Sequence, residues 1–233
     1  YGVSYKPPEI QKTHQSYGRA YQLPNMTAHN ETCANIGNLL WNWRMFQVTG
    51  EQKYVDIVEL VLYNSILSGI SLDGNKFFYT NPLSASVNFP YQLRWHGGRQ
   101  SYIRLSNCCP PNTVRTIAEV SNYAYSISDN GVWVNLYGSN KLSTKLKDGT
   151  PIQLTQESNY PWDGTVQIKI DRKSAKPFSI NLRIPDWCRK YTIKVNGQAT
   201  EVKFAPGQYA DLHRSWKEGD VLTLEMEMPI RLM

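Results

Sequence analysis

The sequence predicts an α+β protein in two parts, helical through residues 1–130 and an antiparallel β-sandwich through residues 131–233. Two observations carry that reading. Apolar residues recur at three- and four-residue spacing in three stretches before residue 127, the pattern of helices with one buried face. From Asp129-Asn130-Gly131 onward the period changes to alternation, broken by Asp-Gly, Pro-Asp, Asn-Gly and Glu-Gly-Asp turns.

Taken in order, residues 1–29 carry Pro7, Pro8 and Pro24 without a helical period and read as an extended loop holding His14, Gln15 and His29. Residues 30–48 read as a helix on Ile36, Leu39, Leu40, Trp43 and Phe46, stopped by Gly50. A second helix from Glu51 to about Leu67 presents Tyr54, Ile57, Val58, Val61, Leu62 and Ser65, and the pair forms an αα-hairpin. Glu59 interrupts this stripe, as an exposed face residue or as a carboxylate turned into a pocket. Lys76–Tyr79 reads as a short strand after an Asp-Gly-Asn turn, and residues 84–107 are irregular. A third helix runs from Asn112 to about Ser126, with Val114, Ile117, Ala118, Ser121 and Tyr125 on one side. Strands are then expected at 132–137, 151–157, 164–171, 178–184, 190–195 and 220–228.

Composition narrows the class. Apolar residues make up 41% of 233, enough for a sizeable core, yet no run approaches the roughly 20 apolar residues of a membrane span. Lys and Arg total 25 against 19 Asp and Glu, a net charge of +6, but the basic residues are scattered, which argues against a nucleic-acid partner. Seven Trp and 15 Tyr suit either sugar stacking or the filling of a sandwich core. The chain starts at Tyr1 and ends inside an expected strand at Arg231-Leu232-Met233, so a longer protein is expected. Nothing in the composition bears on oligomeric state, or on whether a bacterial version would be periplasmic or cytoplasmic.

The chemistry concentrates on Cys108-Cys109-Pro110-Pro111-Asn112 and Glu31-Thr32-Cys33. Adjacent cysteines rarely bridge one another, because the eight-membered ring strains the peptide between them. The prolines fix φ, the pre-proline position pushes Cys109 toward extended backbone, and a helix is expected to start afterwards. One carboxylate and three thiolates, Glu31, Cys33, Cys108 and Cys109, make a four-ligand set suited to tetrahedral Zn²⁺. On an ideal helix Glu31 and Cys33 would stand roughly 200° apart, so sharing one metal requires an irregular helix start. From spacing alone the set is either a closed structural site or a metal that holds a thiolate ready as nucleophile. Two disulfides are the bland alternative, and Cys188 reads as a buried apolar residue.

Several motifs recur together, in order, in one family. They are Leu23-Pro24-Asn25, Asn30-Glu31-Thr32-Cys33-Ala34, Trp41-Asn42-Trp43-Arg44-Met45, Leu62-Tyr63-Asn64, Ser71-Leu72-Asp73-Gly74, Phe78-Tyr79, Asn81-Pro82-Leu83 and Cys108-Cys109-Pro110-Pro111-Asn112. On these the chain resembles the β-L-arabinofuranosidases of glycoside hydrolase family 127, most strongly over residues 13–137. The resemblance implies the C-terminal part of an (α/α)6 barrel followed by a β-sandwich. It implies a zinc held by Glu31, Cys33, Cys108 and Cys109, with Cys108 as nucleophile in a retaining hydrolysis of glycan β-L-arabinofuranosides. Glu59 and Tyr79 would contact substrate. The family's general acid/base glutamate falls on Gln15, and an amide cannot give and recover a proton. Three helices cannot close a six-hairpin barrel, so this segment alone is expected to be poorly active. Gln15 favours a rival reading, a non-catalytic carbohydrate-binding or scaffold relative whose zinc is structural. A weaker third is an enzyme using the same thiolate chemistry on a different linkage.

Overall fold

A computed structural model describes residues 20, 25, 29–81, 83–84, 108–172, 176–201 and 205–230. The expectations placed on His14, Gln15 and residues 85–107 lie outside the described residues. The chain divides into two compact units, Tyr1–Val48 with Ile57–Glu119, and Thr49–Asp56 with Val120–Met233.

The first unit is helical. Helix α1 (Thr32–Thr49) buries Ile36, Leu39, Trp43 and Phe46 at the expected spacing, with the Trp43 and Phe46 rings 5.6 Å apart. Helix α2 (Gln52–Val61) continues without a break into a π-turn over Leu62–Ile66 and a 3-10 turn over Leu67–Gly69. In this stretch of the first unit the buried residues are Val58, Glu59, Val61, Leu62, Ile66 and Gly69. Glu59 is therefore buried and not an exposed face residue.

Helix α3 differs from expectation at both ends. It spans Cys109–Ala118 and is separated from the short helix α4 (Ser121–Ala124) by a turn at Glu119-Val120. Cys108 caps it in αR geometry, and Cys109 is its first residue rather than an extended one. Pro110 and Pro111 then fall in the first turn, where their missing N–H groups would have had no intrahelical partner. The buried face is also rotated. Cys109, Thr113 and Thr116 point inward, while Val114 and Ile117 are exposed. Positions 109, 113 and 116 share one helical face, so turning Cys109 inward brings both threonines with it and overrides the apolar stripe.

Among its described residues the second unit holds ten strands: β1 (Tyr125–Ile127), β2 (Gly131–Val134), β3 (Asn140–Lys145), β4 (Pro151–Ser158), β5 (Thr165–Ile170), β6 (Phe178–Ile184), β7 (Tyr191–Val195), β8 (Gln198–Ala199), β9 (Gln208–Arg214) and β10 (Val221–Met226). They form a four-stranded sheet, β1-β2-β6-β9, and a six-stranded sheet, β3-β4-β5-β10-β7-β8. Every pairing among these strands is antiparallel except β2 with β6, where Gly131 stands opposite Ser179. A parallel pair needs a crossover, and β3, β4 and β5 supply it from the other sheet. A Cβ on Gly131 would lie 2.6 Å from the Ser179 carbonyl oxygen, so only glycine fits at this contact. Strands β1, β3, β8 and β9 were not expected. They are short or polar-rich, and β1 lay hidden in the tail of an expected helix, where pairing with β2 outweighs local propensity.

One buried cluster joins the inner faces of both sheets. It includes Val132, Ile180, Leu182 and Leu212 from one sheet and Leu154, Ile168, Ile193 and Leu224 from the other, with Cys188 fully buried among them. The aromatic residues serve packing here. Trp216 is buried against Phe178, and Tyr160 stacks on Trp187.

Strand β6 is buried at all seven positions, hence on both faces. Ile180 and Leu182 fill the cluster, while Arg183 points the other way, fully buried, and donates to Asp56 Oδ1 at 2.6 Å and to the Asn135 carbonyl at 2.6 Å. Gln52 donates to the Ile184 carbonyl at 2.6 Å, so residues 52–56 complete the cover of β6. Removing one partner of such a pair strands a buried charge, at a cost of about 3–5 kcal/mol. Asp56→Ala should therefore lower the urea midpoint of unfolding sharply, whereas Glu227→Ala, which removes an exposed pair with Lys190, should leave it unchanged. Equal midpoints for the two variants would refute this assignment.

Candidate metal centre

The entry to α1 is the irregular start that the ligand set required. Glu31 stands outside the helix and bridges Thr80 in isolation, after Asn30 at φ 41°. Its carbonyl accepts the first helical bond from Asn35 N at 3.0 Å. The segment is pinned to residues 78–81. Thr32 N donates to the Tyr79 carbonyl at 3.0 Å and its hydroxyl donates to the Phe78 carbonyl at 2.8 Å. The Asn30 amide donates to the Asn81 carbonyl at 2.6 Å. Lys76–Tyr79, expected as a strand, contributes only the isolated bridge between Phe77 and Ile70, yet it is the brace of this corner.

On that brace the carboxylate and three sulfurs converge. One ligand atom each from Glu31, Cys33, Cys108 and Cys109 lies within 4.8 Å of all the others. Cys33 and Cys109 sulfurs are 3.3 Å apart, Cys108 and Cys109 sulfurs 3.8 Å, and Cys108 Sγ is 3.8 Å from Glu31 Oε1. All four cysteines are free thiols, which removes the disulfide alternative. A tetrahedral zinc with sulfur ligands at about 2.3 Å has edges of about 3.8 Å, so the donor set fits such an ion. The group could bind a metal ion.

Its members differ in environment. Cys109 is fully buried, Cys33 half-buried and Cys108 exposed. Cys33 lies in the first turn of α1, and Cys108 and Cys109 lie at the start of α3, so two helix N-termini favour negative charge here. Without metal, the Cys109 thiol donates to Cys33 and pulls its pKa down to about 6, helped by the Asn112 amide at 3.2 Å from Cys33 Sγ. The same shared proton, with burial, pushes Cys109 far above the usual thiol range.

Tyr79 packs with Cys33 and Cys109 and meets the His29 ring edge-on at 5.6 Å. Glu59 is buried in the same unit. Asn112 had no role assigned in the sequence. The signal for it is spacing, since position 112 follows Cys109 by three residues and shares its helix face. Arg115 holds the amide from its other side, donating to Oδ1 at 3.1 Å.

Comparison with known proteins agrees over nearly the whole chain. Residues 5–122 match the β-L-arabinofuranosidase GH127 catalytic domain, and residues 131–228 match the GH127 middle domain. A non-reducing end β-L-arabinofuranosidase of Bifidobacterium longum subsp. longum is 30% identical over 96% of this chain and 35% of its own length. A solved glycoside hydrolase is 51% identical with a TM-score of 0.91, over 100% of this chain and 39% of that one. A GH127 β-L-arabinofuranosidase from Geobacillus stearothermophilus T6 is 37% identical with a TM-score of 0.83, over 90% and 33%. The chain thus spans about a third of the length of these relatives. With both domains matched in chain order and the Glu31/Cys33/Cys108/Cys109 cluster assembled, the chain belongs to the GH127 β-L-arabinofuranosidase family.

Proposed function

We propose that this chain is the metal-bearing part of a retaining glycoside hydrolase acting on β-L-arabinofuranosides of plant-type glycans, with Cys108 as nucleophile. The observation that carries the reading is the asymmetry of the three sulfurs. Cys109 is buried and Cys33 is half-buried under the Asn112 amide, whereas Cys108 is exposed beside Glu31. An exposed thiolate can be reached by a substrate, which catalysis requires and a closed structural site does not. The family membership supports the substrate class, and the relatives' names supply the sugar.

We also propose the finer architecture. Residues 1–130 are the C-terminal portion of an (α/α)6-barrel catalytic domain, and residues 131–233 belong to a β-sandwich domain. The two facing sheets over one core support the second assignment, and the helical first unit supports the first.

Zn²⁺ held by Glu31, Cys33, Cys108 and Cys109 would keep the thiols ionised at neutral pH. Cys108 Sγ donates its electron pair to the anomeric carbon, the C–S bond forms, and the glycosidic C–O bond breaks with its electrons on the departing oxygen. Water then attacks the same carbon and gives one proton to the carboxylate that protonated the departing oxygen, the C–S bond breaks with its electrons on sulfur, and two inversions give net retention. Glu59 and Tyr79, both buried in the same unit, would orient the sugar. The departing oxygen needs a proton. Gln15 cannot supply it, which leaves the native protein slow on sugar-like leaving groups unless Glu9, Glu59 or a residue upstream serves in its place. Gln15 equally favours a non-catalytic, sugar-binding relative with a structural zinc, and the outcomes below separate the two.

Purified protein should contain one zinc per chain, and its affinity should fall at acid pH because three thiols and a carboxylate must lose protons to bind. Elemental analysis without zinc, or a Cys33–Cys108 disulfide by mass spectrometry, would exclude the centre. Cys108→Ser in the full-length protein should abolish turnover of aryl β-L-arabinofuranosides while the fold survives, and a furanose-configured, cysteine-directed inhibitor should label Cys108. Label on Cys109, or on no cysteine, would sink the nucleophile assignment. Restoring the carboxyl by Gln15→Glu should raise turnover of sugar-linked substrates by about 10²–10⁴-fold, and that of aryl glycosides by less, since activated leaving groups need little protonation. No change on either substrate would place the acid/base elsewhere.

A further inference from the structure

We infer that His29 is a positioning residue of the metal centre, orienting Glu31 so that one carboxylate oxygen faces the cysteine sulfurs. The inference rests on the zinc reading above and concerns a residue outside the four-ligand set. His29 is fully buried, and its Nε2 lies 3.2 Å from Glu31 Oε2. The other carboxylate oxygen, Oε1, is the one that lies 3.8 Å from Cys108 Sγ. The two oxygens are therefore divided between partners, Oε2 to the imidazole and Oε1 to the sulfur cluster.

Glu31 has particular need of such a partner. Cys33 and Cys109 lie inside helices and Cys108 caps α3, whereas Glu31 stands before α1, its backbone bridged to Thr80 next to the left-handed Asn30. A flexible carboxylate on such a corner can swing between one-oxygen and two-oxygen binding. A hydrogen bond on Oε2 removes that freedom and makes the carboxylate a one-oxygen ligand, the mode a four-coordinate zinc takes.

The imidazole is itself fixed. A carboxylate only accepts, so Nε2 carries the hydrogen and donates to Oε2. Nδ1 is then an acceptor, and it is buried with no hydrogen-bond partner among the described residues, so the Glu31 contact is the polar contact that holds the ring. The edge-on packing against Tyr79 at 5.6 Å sets the ring plane.

Metal competition on the full-length protein tests this, with zinc titrated against a chromophoric chelator and cobalt(II) as a spectroscopic probe. His29→Phe should weaken zinc binding by about 10–100-fold and shift the visible cobalt bands, as loss of an outer-shell partner does. His29→Gln, which keeps an N–H donor, should recover most of the affinity and the wild-type spectrum. In a Glu31→Gln background, His29→Phe should have no further effect, because its influence passes through that carboxylate. Thermal melting of the metal-free variants separates a general loss of fold. If His29→Phe and His29→Gln lower metal-free stability alike and weaken zinc binding alike, or if His29→Phe leaves affinity and cobalt spectrum unchanged, His29 does not position Glu31. Wild-type protein that binds neither metal would overturn the zinc centre itself, a different result from either.

Discussion

The site depends on bringing three thiols and a carboxylate within bonding reach of one point without letting them oxidise or repel. Sulfurs 3.3 and 3.8 Å apart are too far for a disulfide and too close for three free thiolates. In the metal-free chain the conflict is relieved by sharing a proton between Cys33 and Cys109, and two helix N-termini bear on the same point. A divalent cation would relieve it more completely. The rotation of α3, the first-turn prolines and the bracing of residues 30–32 on 78–81 all serve that convergence.

The inward turn of Cys109 shows how chemistry can overrule an apolar pattern. Val114 and Ile117 would ordinarily decide which side of α3 faces inward. In this segment they are exposed, and Cys109, Thr113 and Thr116 take the buried positions. Thr116 meets its polar requirement locally, by donating to the Asn112 carbonyl at 2.8 Å. The buried hydroxyl therefore needs no distant partner, which keeps the rotated helix affordable in free energy.

The second unit resolves a different conflict, a strand with no solvent face. Strand β6 carries apolar residues toward the shared core and Ser179, Asn181 and Arg183 on the reverse side. Those polar groups survive burial because each has a partner. Ser179 meets the His213 ring at 3.1 Å, and Asn181 donates to the Val132 carbonyl. Arg183 bonds Asp56 and the Asn135 carbonyl and lies over the Tyr137 ring, whose hydroxyl in turn donates to the Arg183 carbonyl.

Local chemistry made much of this legible from the sequence alone. The period change near residue 131, the three helical stretches, six of the strands and the four candidate ligands follow from spacing and residue type, because amphipathic period and thiol softness are local properties. Tertiary structure decided the rest. The face of α3, the fate of Glu59, the parallel β2–β6 pair and the hidden strand β1 each depend on what lies across space from them. His29 belongs with them. Two residues before Glu31, it could have been any solvated loop histidine, and only the left-handed turn at Asn30 and the burial of its ring set it against the carboxylate. A sequence records which groups can bond, but direction and burial come from the fold, since both require the chain to have returned on itself.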